Sequence, residues 1–218
     1  MAYCEPGSGA LFLFALSTCP HSRAARRILE ELKTPFTSLE VDLLPEPEQR
    51  LALAELARHN PAQTFPTLLA GTKVAAGPLP EDFRRLALRA SGRRWTPPSP
   101  DLDGGSGRRP FPGSGGQAAD DQGGAAFFLC GPGYGLNPDR TWTREVLAGL
   151  RVNAVRYGYG SCPSRLATGR QDQDQAIICP CAFRTEDMAK YGRCYGHLYF
   201  SPRVSPGRVP AVPDRWLR

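Results

Sequence analysis

One short stretch near the start of the chain combines the pattern of a buried strand with a cysteine: residues 11–22, LFLFALSTCPHS. The apolar run of residues 11–16 predicts a parallel strand covered on both faces. A helix is predicted over residues 23–32, so Cys19 lies where a strand ends and a helix begins. Amide N–H groups and the helix dipole favour thiolate there, so we predict that Cys19 is a nucleophile, partly ionised at neutral pH. The alternative is a small apolar core residue.

The segments that follow alternate between strand and helix patterns. Strands are predicted over residues 36–41, 67–70 and 73–76, the last two as a hairpin, and helices over residues 48–58 and 81–90. This order of elements is typical of an α/β sandwich.

A second motif, Thr64-Phe65-Pro66-Thr67, precedes the hairpin, and Pro66 is a candidate for a cis peptide bond. Together with the Cys19 site and Gly77 after the hairpin, this motif makes residues 10–90 resemble a glutaredoxin. The resemblance implies a thioredoxin-like fold with Cys19 as the nucleophilic thiol. Because Ser22 replaces the second cysteine of a dithiol site, the predicted site is monothiol. The resemblance also implies a groove for glutathione or a peptide, lined by Pro20, Thr64, Phe65, Pro66 and Gly77.

Glycine and proline divide the chain into parts. They number 23 and 22, and their concentration in residues 92–124 predicts a flexible linker there. We therefore predict a glutaredoxin-like domain over residues 8–91, a second domain over residues 125–203 and a loose tail over residues 204–218. Because 41% of the residues are hydrophobic, both domains have enough apolar side chains for a packed core.

Charge and hydropathy exclude several classes of partner. The formal net charge is +6, but the arginines are scattered and form no basic patch, so we expect no nucleic-acid partner. The apolar run at residues 10–16 is preceded by Glu5 and no basic residue, unlike a signal peptide. No apolar run approaches the roughly twenty residues needed to span a membrane. We therefore expect a cytoplasmic protein whose seven cysteines serve metal or redox chemistry.

The second domain contains four closely spaced cysteines: Cys162, Cys179, Cys181 and Cys194. Thiolates are soft ligands, and four of them suit either zinc or an iron–sulfur cluster. Two of these cysteines begin Cys-Pro turns, and no Cys-x-x-Cys pair of the kind that zinc sites prefer is present, which favours a cluster. Of the other cysteines, Cys4 is predicted to lie in a mobile start and Cys130 in the core, neither with a catalytic role.

Four motifs make residues 137–200 resemble the catalytic subunit of ferredoxin:thioredoxin reductase: RYGY at 156–159, RLATG at 165–169, IICPC at 177–181 and YGRCY at 191–195. The resemblance implies a small, mainly α-helical domain that binds a 4Fe-4S cluster through the four cysteines above. The family's two remaining cysteines form a redox-active disulfide beside the cluster. Ser164 and Gly196 stand at those positions here, so this domain cannot form that disulfide by itself.

Three functions are compatible with this combination. The first is an oxidoreductase that takes single electrons from a ferredoxin or similar donor and uses Cys19 to reduce a thioredoxin-like or other disulfide target. The second is a cluster carrier, in which Cys19 and glutathione share a second cluster. In the third, the metal of the second domain is structural and only holds a small fold together.

Overall fold

The computed structural model describes residues 10–93, 134–201 and 211–216. The predicted linker lies outside these ranges apart from its first two residues, and Cys4 and Cys130 lie outside them as well. Within the described ranges, no helix has the length and apolar character needed to cross a membrane.

Four strands of the first domain form one sheet in the order β2-β1-β3-β4. Their bounds are β1 Leu11–Ala15, β2 Phe36–Glu40, β3 Thr67–Ala70 and β4 Lys73–Ala76. β1 pairs in parallel with β2 and antiparallel with β3, and all its residues are buried. The predictions of a doubly covered strand and of a hairpin, formed by β3 and β4, are therefore confirmed.

Three helices cover the two faces of this sheet: α1 Pro20–Glu31, α2 Glu46–His59 and α3 Pro80–Ala90. Successive side chains of a strand point to opposite faces. Leu11 and Leu13 therefore pack with α1 and α3, whereas Phe12 and Phe14 pack with α2. This is the thioredoxin-like arrangement that the glutaredoxin resemblance implies.

The second domain is built around one long helix, α4 Arg140–Tyr157. The carboxylate of Asp139 caps it by accepting hydrogen bonds from the amides of Thr141 and Trp142, at 2.9 and 3.1 Å. Gly158 ends it in the left-handed conformation, with φ of 83°. The remaining elements are β5 Gly135–Leu136, α5 Gln171–Asp174, α6 Arg184–Tyr191 and β6 Tyr199–Phe200, of which β5 and β6 pair antiparallel.

Residues 211–216 pack against the second domain, so the prediction of a loose tail is wrong for this part. Val212 is buried, and the indole N–H of Trp216 donates to the carbonyl of Leu166 at 3.3 Å. Asp214 forms a 2.8 Å ion pair with Arg165, and both side chains are shielded from solvent. A buried guanidinium needs a partner of opposite charge, and the tail supplies it.

Candidate redox site

The backbone of the first domain holds Cys19 at the start of α1. Cys19 is the N-cap residue and Pro20 occupies the first helical position, where a missing N–H has no consequence. The Cys19 amide donates to the carbonyl of Leu16 at 3.2 Å, and the amide of Leu16 donates to Ser22 Oγ at 3.1 Å. These bonds fix the turn between β1 and α1. The Cys19 thiol in this turn has no exposed surface.

Burial raises the pKa of the Cys19 thiol above its ordinary value of 9.0. Hydrogen bonds to the backbone and hydroxyl of Ser22 act in the opposite direction, as do those from the Ser164 hydroxyl and the His21 backbone, but they do not outweigh it. The prediction that Cys19 is partly thiolate at neutral pH is therefore wrong for this arrangement of the chain. The reason is desolvation, which penalises the charged form of a thiol.

The structure brings Phe65 of the predicted groove next to Cys19, since both belong to one buried cluster. The Phe65–Pro66 peptide bond is cis, as expected, and the carbonyl of Pro66 accepts a 3.0 Å hydrogen bond from Gly77. Pro66 and Gly77 are both buried, and Thr64 is partly buried where its hydroxyl accepts from Asn60 at 2.9 Å. The predicted groove residues thus lie together, but they do not line an open surface.

Backbone hydrogen bonds fix the positions of three of the predicted metal ligands. The amide of Cys162 donates to Ile177 at 2.8 Å, and that of Cys179 donates to Gly160 at 2.9 Å. Cys194 is held by a bond from its amide to the carbonyl of Tyr199 at 3.2 Å. All four cysteines predicted as ligands are free thiols.

The four thiols influence one another electrostatically. Burial raises the pKa of Cys179 to about 12 and that of Cys194 to about 11, and it raises that of Cys162 well above 9.0. The second contribution at Cys179 is the negative charge of Cys194, and charges on Cys181 and Cys179 act on Cys162 in the same direction. A positively charged metal centre would reverse this balance, because coordination favours thiolate.

The four thiols are soft donors that suit either zinc or an iron–sulfur cluster. Within the described residues, no three His, Cys, Asp or Glu side chains lie close enough to hold one metal ion. The case for a cluster therefore rests on the chemistry of the four thiols and not on their spacing.

Ser164 and Gly196 lie side by side next to Cys162. A Cβ atom added to Gly196 would be 3.6 Å from Ser164 Oγ and 3.5 Å from Cys162 Sγ. Ser164 is fully buried, and its hydroxyl makes no hydrogen bond of regular geometry within the described residues. Cysteines at these two positions would be neighbours, as is necessary if the positions correspond to the two disulfide cysteines of the reductase family.

The second domain covers Cys19. The Ser164 hydroxyl is close enough to favour the Cys19 thiolate, and Thr18 Oγ1 donates to the carbonyl of Pro163 at 3.4 Å. Leu166 joins the apolar cluster that contains Cys19 and Phe65. The Cys-Pro-Ser segment of the second domain therefore packs against the turn that holds Cys19.

Gly149 of α4 allows this close approach. A Cβ atom at this position would lie 2.6 Å from the carbonyl oxygen of Thr18 and 2.8 Å from Cβ of Pro163. Such distances do not occur in real structures, so any other residue would push the two domains apart. Sequence reasoning missed Gly149, because a glycine inside a helix carries no signal of what lies opposite.

Ion pairs surround the interface. Glu145 of α4 binds Arg23 and Arg27 of α1, at 3.2 and 3.0 Å. On the other side, Arg156 pairs with Asp42 at 2.6 Å. The arginines and Glu145 are at least partly exposed, so the two pairs of Glu145 contribute modestly and are weakened by salt. The Asp42 side chain is only 4% exposed, so its pair is screened less.

Two histidines fill the seam beside these contacts. His21 Nε2 lies 3.3 Å from the carbonyl oxygen of Tyr195, and its ring is 4.8 Å from that of His197 and 4.7 Å from that of Trp142. Burial lowers the pKa of His21 to about 4 and that of His197 well below 6.5. Both rings are therefore neutral at physiological pH, and they pack as aromatic side chains.

Comparison with known proteins agrees with both resemblances. Residues 11–75 match the family model for glutaredoxin, and residues 129–210 match that for the ferredoxin thioredoxin reductase catalytic beta chain. The chain thus combines segments of two redox families, as predicted. No match was found among curated proteins.

Solved structures similar to the first domain include two archaeal proteins. Methanosarcina acetivorans methanoredoxin is 30% identical, with a TM-score of 0.35 over 36% of this chain and 84% of that chain. The glutaredoxin grx-1 from Archaeoglobus fulgidus is 22% identical, with a TM-score of 0.34 over 35% of this chain and 83% of that chain.

Proposed function

We propose that this chain is a disulfide oxidoreductase in which a 4Fe-4S cluster delivers electrons to Cys19. The cluster would be held by Cys162, Cys179, Cys181 and Cys194. The observation that carries the proposal is the hydrogen bond from Thr18 to the carbonyl of Pro163, which joins the neighbours of Cys19 and Ser164. Ser164 lies beside Gly196. The resemblance assigns the reductase family's disulfide to these two positions.

Cys19 is the one cysteine of the described residues that does not belong to the proposed ligand set. Ser164 cannot form a disulfide and Gly196 has no side chain, so the second domain needs a thiol from elsewhere. The packing of Thr18 on Pro163 and the close approach at Gly149 hold the turn of Cys19 against the second domain. This supports Cys19 as the reacting group rather than as a core residue.

The chemistry requires two electrons and two protons for each disulfide that is broken. Cys19, once ionised, attacks one sulfur of the substrate and displaces the other as a thiol, which leaves a mixed disulfide on Cys19. A cluster held by the four cysteines would supply single electrons, received in turn from a one-electron donor of the ferredoxin class. Cleavage of the mixed disulfide takes two such electrons and two protons, and it releases the second thiol while Cys19 regains its own.

Access to Cys19 requires that the two domains separate, because the thiol has no exposed surface between them. Opening would also hydrate the thiol, and the helix N-terminus could then favour thiolate as predicted from the sequence. Glutathione, if it is used, must displace the Cys-Pro-Ser segment from Cys19. The carrier hypothesis needs the same separation of the domains, because a second cluster shared by Cys19 and glutathione also requires an accessible thiol.

The test follows thiol release and cluster oxidation together. The full chain is purified without oxygen, reduced chemically, and mixed with a glutathionylated or disulfide-containing peptide. Wild type should release thiol as the cluster absorbance changes, and Cys19→Ala should show no turnover with an unchanged spectrum. Cys130→Ala is the matched control, because Cys130 is not among the residues proposed to react or to bind the cluster. Equal turnover in wild type and Cys19→Ala would refute the proposal, and a colourless protein with one zinc would refute the cluster.

A further inference from the structure

A buried arginine lies beside the proposed cluster ligands. Arg165 is 2% exposed, and its Nη1 atom lies 3.8 Å from Cys181 Sγ, within the range of a hydrogen bond to sulfur. On its other side, Nε donates to Asp214 at 2.8 Å. The guanidinium group thus stands between a ligand sulfur and a carboxylate from the tail.

Aromatic rings hold the guanidinium group in this position. Its carbon lies 4.5 Å from the centre of the Tyr195 ring and 4.8 Å from that of Phe183. The Nη2 atom is buried and makes no hydrogen bond within the described residues. A guanidinium group is charged at any physiological pH, and Asp214 is the ion-pair partner of Arg165.

A fixed charge in this environment acts strongly on a redox centre. Reduction by one electron adds a negative charge to a cluster, and a cation next to a ligand sulfur stabilises that form. Water is excluded around Arg165, so its field is screened less than at the surface. Hydrogen bonds to the sulfurs and local charge are known determinants of cluster potentials.

We propose that Arg165 raises the reduction potential of the cluster and that Asp214 opposes it, so that this pair sets the potential at which electrons reach Cys19. The inference rests on the proposed cluster. Arg165 is a positioning residue here, since it acts through Cys181. Asp214 neutralises part of its charge, and the two side chains therefore have opposite effects.

The experiment is an anaerobic potentiometric titration of the full chain with soluble mediators, followed by absorbance and electron paramagnetic resonance. Arg165→Gln should shift the midpoint potential to more negative values, and Asp214→Asn should shift it to more positive values. Arg170→Gln is the matched control, because Arg170 pairs with Asp172 at an exposed site. Its potential should equal that of wild type.

The opposite signs separate this inference from a purely structural role. Shifts in the same direction, or cluster loss from both variants, would assign the pair to folding and overturn the inference. If Arg165→Gln alone loses its cluster, Asp214→Asn decides: a positive shift supports the inference, and any other result overturns it. Absence of iron from the wild-type protein would instead refute the proposed function.

Discussion

Replacement of Gly149 by alanine tests whether the close packing of the two domains shields Cys19. The added methyl carbon would lie 2.6 Å from the carbonyl oxygen of Thr18, whereas ordinary contacts begin at 3.4 Å. The domains must therefore move apart by about 0.8 Å, and overpacking of this kind costs about 1–3 kcal/mol. Within α4 alone, alanine is favoured over glycine by about 1 kcal/mol. The substitution thus strengthens the helix and weakens the interface.

The assay is the rate at which a maleimide modifies Cys19 in the anaerobic native protein, localised by mass spectrometry. If opening precedes modification, a loss of about 1–3 kcal/mol at the interface speeds it by roughly 5- to 150-fold. Gly135→Ala is the matched control, because a Cβ atom there meets nothing within 4 Å. Equal rates in Gly149→Ala, Gly135→Ala and wild type would show that this packing does not protect Cys19.

Three further predictions follow from the site. The double variant Ser164→Cys and Gly196→Cys should form a disulfide on mild anaerobic oxidation. Closure of a loop of roughly 33 residues should raise the free energy of unfolding by about 4 kcal/mol. Mass spectrometry without reductant detects the bond, and two free thiols would contradict the match of these positions to the family's disulfide. Cys194→Ser should lose iron and visible colour while Cys130→Ser keeps both; iron analysis decides, and the opposite result would remove Cys194 from the ligand set. The pKa of His21 is lowered to about 4, so the folded chain favours the neutral ring. The free energy of unfolding is therefore highest above pH 6.5 and decreases as the pH falls towards 4. Between pH 7 and 5, wild type should lose about 2 kcal/mol more unfolding free energy than His21→Gln, and equal losses in urea titrations would refute this.

Local patterns in the sequence were sufficient to predict much of the first domain. The apolar run of β1 predicted a buried strand because its neighbours on both faces are also apolar. Cys19 and Pro66 each lie in a recognisable motif, because the local conformation at each residue depends on a short stretch of backbone. The choice of the four later cysteines as metal ligands stays a prediction, since it depends on a bound metal.

The contacts between distant segments could not be predicted in this way. Cys19 and Ser164 are separated by a glycine- and proline-rich segment, and no local pattern indicates that they meet. The state of Cys19 was predicted wrongly for the same reason: the helix dipole is visible in sequence, whereas burial by a second domain is not. The prediction of a loose tail was wrong for residues 211–216 because proline and arginine usually indicate an unstructured segment. The sequence does not show that a buried charge, here that of Arg165, is paired by this segment.

The pairing of Arg165 with Asp214 has a consequence for synthesis of the chain. Asp214 leaves the ribosome 49 residues after Arg165, so the guanidinium group is made long before its counter-charge. The strands of the first sheet all lie between Leu11 and Ala76, and that domain can fold while the rest is still being translated. Pairing of Arg165 in the second domain must wait for residues 211–216, and insertion of the proposed cluster would follow that step.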